Sequence, residues 1–106
     1  MKVYGAPICS DCVYSEKVLK KMNVQYKNIN IIESISNMKE FLKLRDARSE
    51  FDSIKERGKV GIPAFVFTDG RIEFDINNIT AEEINEDFEK EVDNDDKPGL
   101  CGFDGC

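Results

Sequence analysis

The feature that most constrains the fold is an alternation between two spacings of apolar residues along the first 91 residues. Short apolar or period-two stretches predict strands, at Lys2–Ala6, Val24–Ile31, Pro63–Phe67 and Ile72–Ile76. Between and after them, apolar residues at helical spacing predict three helical stretches, one from Ser10, one over Ser34–Arg57 and one after Thr80. The order β-α-β-α-β-β-α predicts an α/β fold: a four-stranded mixed sheet flanked by helices.

Local signals mark where these elements begin and end. The stretch Ser34–Arg57 exceeds the usual helix length, so we expect a break near Asp46–Ser49, and Gly58 suits its C-cap. Asp69 followed by Gly70 is a hairpin signal. Thr80 and Glu83 have the spacing of a capping box at the start of the last helix.

Composition separates a domain from an acidic end. Residues 1–91 are predicted to form one domain, and residues 92–106, rich in Asp and Gly, a flexible tail. Residues 1–79 carry 13 basic and 11 acidic side chains, whereas residues 80–106 carry 2 basic and 10 acidic ones. An acidic end opposes binding to nucleic acid and to anionic membranes, because both are negatively charged. The simplest interpretation of this end is a solubilising tail.

The chain also lacks sequence signals for membranes and secretion. No apolar run approaches the ~20 residues that a membrane span requires, and the N-terminus has no secretory pattern. We therefore expect a cytoplasmic monomer that binds neither nucleic acid nor membranes.

Cys9 lies between the first strand and the first helix, at the N-cap or N1 position of that helix, and Cys12 lies one turn inside it, in a chain without histidine. Free backbone N–H groups and the helix dipole at a helix N-terminus stabilise a thiolate, which is the reactive form of cysteine. The spacing therefore favours Cys9 as nucleophile and Cys12 as resolving thiol in a dithiol/disulfide cycle. Asp11 disfavours further negative charge beside the pair, which predicts a more reducing couple. A structural disulfide and half of a metal site are the alternatives.

Ile62 and Pro63 come directly before the most apolar strand, "PAFVF". A cis bond between them would present the Ile62 backbone N–H and C=O to the cysteines as a surface for an extended substrate chain. The alternative is a proline that merely begins a strand.

The segments "YGAPICSDC" and "VGIPAFVFTDGRIEF" resemble the glutaredoxin branch of the thioredoxin-fold family, over residues 1–91. The resemblance implies a thioredoxin fold and a thiol–disulfide oxidoreductase that acts on protein disulfides. It implies that Cys9 attacks, that Pro63 is cis, and that a reductase or low-molecular-weight thiol supplies electrons.

Three departures from the family pattern argue against glutathione as that thiol. Ser10-Asp11 replaces the usual Pro-Tyr, Ala6 stands where a lysine is usual, and "DINNITAEE" lacks the Gly-Gly turn. Thr80, at a helix N-terminus, still offers an anion site. We expect no bound cofactor and no metal in this primary interpretation.

Cys101 and Cys106 leave three interpretations open. They are an inert end, a second redox pair that exchanges electrons with Cys9 and Cys12, or two of four ligands for zinc or an iron–sulfur cluster. In the last case the protein would be a metal-binding or metal-delivery module that uses all four cysteines.

Overall fold

A four-stranded mixed sheet forms the middle layer of the computed structural model, which describes residues 1–95, with side chains through Lys90. Its strands are β1 (Lys2–Gly5), β2 (Lys27–Asn30), β3 (Ala64–Val66) and β4 (Ile72–Glu73). They lie in the order β2-β1-β3-β4, with β1 parallel to β2 and antiparallel to β3, and β3 antiparallel to β4. The predicted α/β class, element order and mixed sheet are confirmed.

The helices of the described residues are α1 (Ser10–Met22), α2 (Ile35–Ala47), α3 (Asp52–Glu56) and α4 (Ala81–Asp95). Arg48 is extended (φ −109°, ψ 130°) and separates α2 from a 3₁₀ turn at Ser49–Phe51, so the predicted break is confirmed. Gly58 follows α3 with φ +70°. Its N–H donates to Lys55 O at 3.0 Å, so Gly58 closes the helix as predicted, one residue after the C-cap residue Arg57.

Two apolar clusters, one on each face of the sheet, make up the core. Helices α1 and α4 cover one face through Leu19 and Ile84, which pack with Val3 and Phe65. Helices α2 and α3 cover the other, where buried residues of the strands and helices pack together: Tyr4, Ala6, Ile31, Phe41, Phe51 and Ala64. The sheet is thus flanked by helices on both faces, as the sequence predicts.

The β2 region shows why burial on both faces complicates a period-two pattern. Val24 and Tyr26, then Ile29 and Ile31, suggest from sequence a phase slip near Asn28. In the structure the first pair packs against the α1–α4 cluster and the second pair against the α2–α3 cluster. The apparent slip reflects two buried faces, because each face recruits its own apolar residues.

The chain after β3 follows its local signals closely. Phe67 N–H donates to Arg71 O at 2.9 Å, closing the hairpin turn predicted from Asp69-Gly70, in which Gly70 has φ +95°. Helix α4 continues to Asp95, four residues past the predicted domain boundary at residue 91. Within residues 1–95, no helix is long and apolar enough to cross a membrane.

Candidate functional site

Cys9 is the N-cap of α1, as the sequence predicts. Its backbone is extended (φ −96°, ψ 120°), and its sulfur accepts a hydrogen bond from the Cys12 backbone N–H at 3.4 Å. Cys9 and Cys12 are both free thiols. The helix therefore directs a backbone donor and the positive end of its dipole at Cys9 Sγ, and both stabilise a negative sulfur.

Cys12 lies one turn inside α1, on the face that packs inward. Ser15 and Leu19 on the same face are buried, whereas Val13, which the periodicity predicts in the core, is 37% exposed. Burial, followed by the hydrogen bond to Cys9, raises the pKa of the Cys12 thiol to about 12, and the charge of Asp11 contributes to the rise. Cys12 is therefore a neutral thiol at neutral pH.

Gly5, the last residue of β1, makes room for Cys12. A Cβ atom at Gly5 would lie 3.1 Å from Cys12 Sγ and 3.4 Å from Cys12 Cβ. The sulfur thus rests against bare backbone. Glycine near the end of a strand is a known sign of close approach, so the sequence does carry a signal for this role, although the cysteine spacing alone does not reveal it.

The Ile62–Pro63 peptide bond is cis, as predicted. The Ile62 carbonyl oxygen lies 3.9 Å from Cys9 Sγ, at the limit of a sulfur hydrogen bond. Pro63 is buried and Ala64 begins β3. The structure therefore brings together Cys9, Cys12, Ile62 and Pro63, four of the five residues predicted in the described part of the chain.

Cys9, Ile62 and Pro63 line a groove of about 1260 Å³, called here the Cys9 groove. It runs between the α1 N-terminus, the α2–α3 side and the loop before β3. Exposed apolar side chains along it are Ile8, Tyr14, Ile32, Leu42 and Val60. Its shape and apolar lining suit an extended polypeptide.

Thr80, the fifth predicted residue, is not among those that line the groove. Its hydroxyl accepts the Glu83 N–H at 3.2 Å, and its own N–H donates to Glu83 Oε1 at 3.2 Å. The predicted capping box is confirmed, and the carboxylate of Glu83 occupies the position where an anion would bind. Asp75 and Asn77, just before α4, line the groove instead.

Three basic residues, Arg45, Arg57 and Lys59, also line the groove, and the sequence motifs do not predict them there. They belong to the end of α2 and the loop after α3. No motif distinguishes them from the other basic residues of the chain, because only packing brings them near Cys9.

Cys101 and Cys106 lie outside the described residues, so the three interpretations of this pair stay predictions. Among the side chains that the structure describes, through Lys90, no group of three cysteine or carboxylate side chains is placed to hold a metal ion. That observation does not bear on a site that includes the two C-terminal cysteines.

No protein-family model matches the chain, and no solved structure matches it. Among curated proteins, an uncharacterized protein of Haemophilus influenzae is 32% identical over 77 residues, which is 73% of this chain and 90% of the relative. This similarity extends over nearly the whole relative. The chain therefore belongs to the same family as this uncharacterized Haemophilus influenzae protein.

Proposed function

We propose that the protein is a glutaredoxin-like thiol–disulfide oxidoreductase with a thioredoxin fold, which reduces disulfides in partner proteins. The observation that carries the proposal is the position of Cys9 Sγ, at the α1 N-cap and 3.9 Å from the carbonyl oxygen of the cis-linked Ile62. The strand order β2-β1-β3-β4, with helices on both faces, is consistent with that fold.

The first half of the reaction uses Cys9. Its thiolate attacks one sulfur of the substrate disulfide, a Cys9–substrate S–S bond forms, and the substrate S–S bond breaks. The departing sulfur leaves as a thiolate and takes a proton from solvent. A backbone donor at 3.4 Å stabilises the attacking thiolate, and the groove leaves room for the substrate chain on either side.

The second half uses Cys12. Its thiol, with a pKa raised to about 12 by burial and by Cys9, loses its proton as the sulfur attacks Cys9 Sγ. A Cys9–Cys12 disulfide forms and the second substrate sulfur leaves as a thiol, so two electrons and two protons have passed to the substrate. A reductase or a low-molecular-weight thiol restores the dithiol, as expected in the reducing cytoplasm.

Glutathione is a poor candidate for that thiol. Ala6 lines the groove where a lysine would bind its carboxylate, and Asp11 and Asp75 also line it. Asp11, two residues from Cys9, repels an anionic tripeptide bound at that sulfur, whereas the basic residues of the groove belong to α2 and the loop after α3.

Serine variants of the four cysteines test the proposal with a disulfide-bonded peptide as substrate. We expect Cys9→Ser to reduce turnover to the background rate, because the nucleophile is gone. We expect Cys12→Ser to accumulate a Cys9–peptide mixed disulfide, detectable by intact mass, because the resolving thiol is gone.

The double variant Cys101→Ser/Cys106→Ser is the matched control, since it removes two thiols that the proposed cycle does not use. It retains the single-turnover rate if Cys9 and Cys12 suffice. Full activity in Cys9→Ser would refute the proposal.

A further inference from the structure

Three basic side chains, Arg45, Arg57 and Lys59, form one wall of the Cys9 groove, called here the cationic wall. Arg45 Nη2 donates to the Lys59 carbonyl at 2.7 Å, which ties the end of α2 to the loop before β3. Arg45 Nε is buried and has no hydrogen-bond partner among the described residues. Within the described residues, Arg45, Arg57 and Lys59 form no ion pair. Other basic residues there, such as Lys20, Arg48 and Arg71, each pair with a carboxylate.

Two carboxylates also line the groove. Asp11 lies exposed in the first turn of α1, and Asp75 precedes the 3₁₀ turn at Ile76–Asn78. Asp75 Oδ1 accepts the Asn77 N–H at 2.9 Å, so its charge is partly satisfied locally. The groove thus has unpaired cations on the α2–α3 side, and carboxylates at the start of α1 and directly after Phe74.

Exposed apolar side chains lie along both sides of the groove. Ile8, next to Cys9, is 83% exposed, and Val60, next to Lys59 of the cationic wall, is 53% exposed. Exposed apolar residues beside unpaired charges are typical of surfaces that bind a partner. The partner must therefore supply apolar side chains near its reacting sulfur and carboxylates towards the α2–α3 side.

We propose that the Cys9 groove selects acidic polypeptide segments, in which a disulfide-bonded cysteine is flanked by apolar and carboxylate side chains. This inference rests on the proposed oxidoreductase function and names its substrate class. Recognition adds no chemical step, because the carboxylates bind the cationic wall unchanged while Cys9 and Cys12 exchange disulfides as described. Opposite charges on the cationic wall and on the bound segment increase the association rate and discriminate against basic segments.

The test uses two synthetic peptides that carry Cys as a thiopyridyl mixed disulfide between Leu and Phe. One peptide has two Glu on each side of that core and the other has two Lys. Attack by Cys9 on the peptide sulfur releases thiopyridone, whose absorbance gives the second-order rate constant for each peptide. The protein is the full chain with Cys101→Ser and Cys106→Ser, because its own end, "DNDDKPGLCGFD", has the composition of the proposed substrate.

We expect the Glu peptide to react about tenfold faster than the Lys peptide, and the preference to collapse in about 1 M salt through charge screening. Arg57→Glu/Lys59→Glu is expected to reverse the preference. The matched control is Lys39→Glu/Lys43→Glu, which makes the same change in net charge at exposed positions of α2 outside the groove lining. It is expected to keep the preference within about twofold.

The outcomes separate this inference from the proposed function. Equal rates with both peptides, or a control that loses the preference as fully as the groove variant, overturn the inference and leave the oxidoreductase proposal intact. A faster reaction with a glutathione mixed disulfide than with the Glu peptide also overturns it, in favour of a small anionic thiol. No thiopyridone release from either peptide overturns both proposals.

Discussion

Gly61, directly before the cis Ile62–Pro63 bond, is the residue on which the shape of the site depends most. It has φ +103°, and a Cβ atom there would lie 2.9 Å from Phe51 Cε1 and 3.0 Å from Phe51 Cδ1. Phe51 is fully buried and its ring packs edge-on against Phe41 and Phe74, with centroids 6.0 Å and 5.0 Å away. The ring therefore has little freedom to move aside.

We predict that Gly61→Ala destabilises the protein by about 4 kcal/mol. This loss combines about 1–3 kcal/mol for a side chain forced into a positive-φ conformation with about 1–3 kcal/mol for overpacking a filled core. Urea unfolding followed by circular dichroism measures the difference in the free energy of unfolding.

Gly58→Ala is the matched control, because Gly58 also has a positive φ (+70°) but no atom lies within 4 Å of the position that a Cβ atom would take. We expect it to cost only the backbone contribution, about 1–2 kcal/mol. We also expect a smaller penalty for Gly61→Ala in a Phe51→Leu background, because the ring atom at the closest contact is gone. Equal losses in the two glycine variants, or no coupling to position 51, would rule out the steric explanation.

Two further predictions concern the buried ion pair and the support of Cys12. The 5%-exposed Asp87 carboxylate binds the N-terminal ammonium at 2.6 Å and the Thr68 N–H and hydroxyl, so Asp87→Asn should cost about 3 kcal/mol at neutral pH. Burial acts to raise the pKa of Asp87, but these bonds outweigh it and hold the pKa below its ordinary 3.8. The stabilisation by these bonds is therefore complete above pH 3.8 and is lost as the pH falls through the pKa of folded Asp87. A difference in unfolding free energy between the wild type and Asp87→Asn that stays constant in acid would contradict this. Gly5→Ala places a Cβ atom 3.1 Å from Cys12 Sγ, and it should slow formation of the Cys9–Cys12 disulfide about threefold to tenfold. Rapid oxidation followed by mass detection measures this rate. An unchanged rate would show that the contact does not limit disulfide formation.

Much of the local structure was predictable because it depends on neighbours in the chain. The N-cap position of Cys9, the capping box of Thr80 and Glu83, and the Asp69-Gly70 turn each satisfy backbone groups within a few residues. Such interactions are the same wherever the segment lies in the fold. The break between α2 and α3 belongs to the same class.

The burial of individual helix residues was less predictable than the helix itself. Val13 lies six residues before Leu19, which places the two on different faces of a helix with 3.6 residues per turn. Val13 is exposed, because the inward face of α1 passes through Cys12 and Ser15 instead. A helix pattern identifies an apolar face only to within about one residue in each turn. Which residues on that face contact the sheet depends on how the helix is placed on it.

The sequence by itself determined the order of strands and helices and put two thiols at the start of α1, since spacing and capping are local properties. Only the tertiary structure decided what surrounds those thiols. Gly5 contacts Cys12 across the β1–α1 connection, and the Ile62 carbonyl, 53 residues from Cys9 along the chain, lies 3.9 Å from its sulfur. The cationic wall likewise unites residues of α2 with the loop after α3. These contacts arise from the packing of helices on both faces of one sheet, and no spacing in the chain encodes that packing locally.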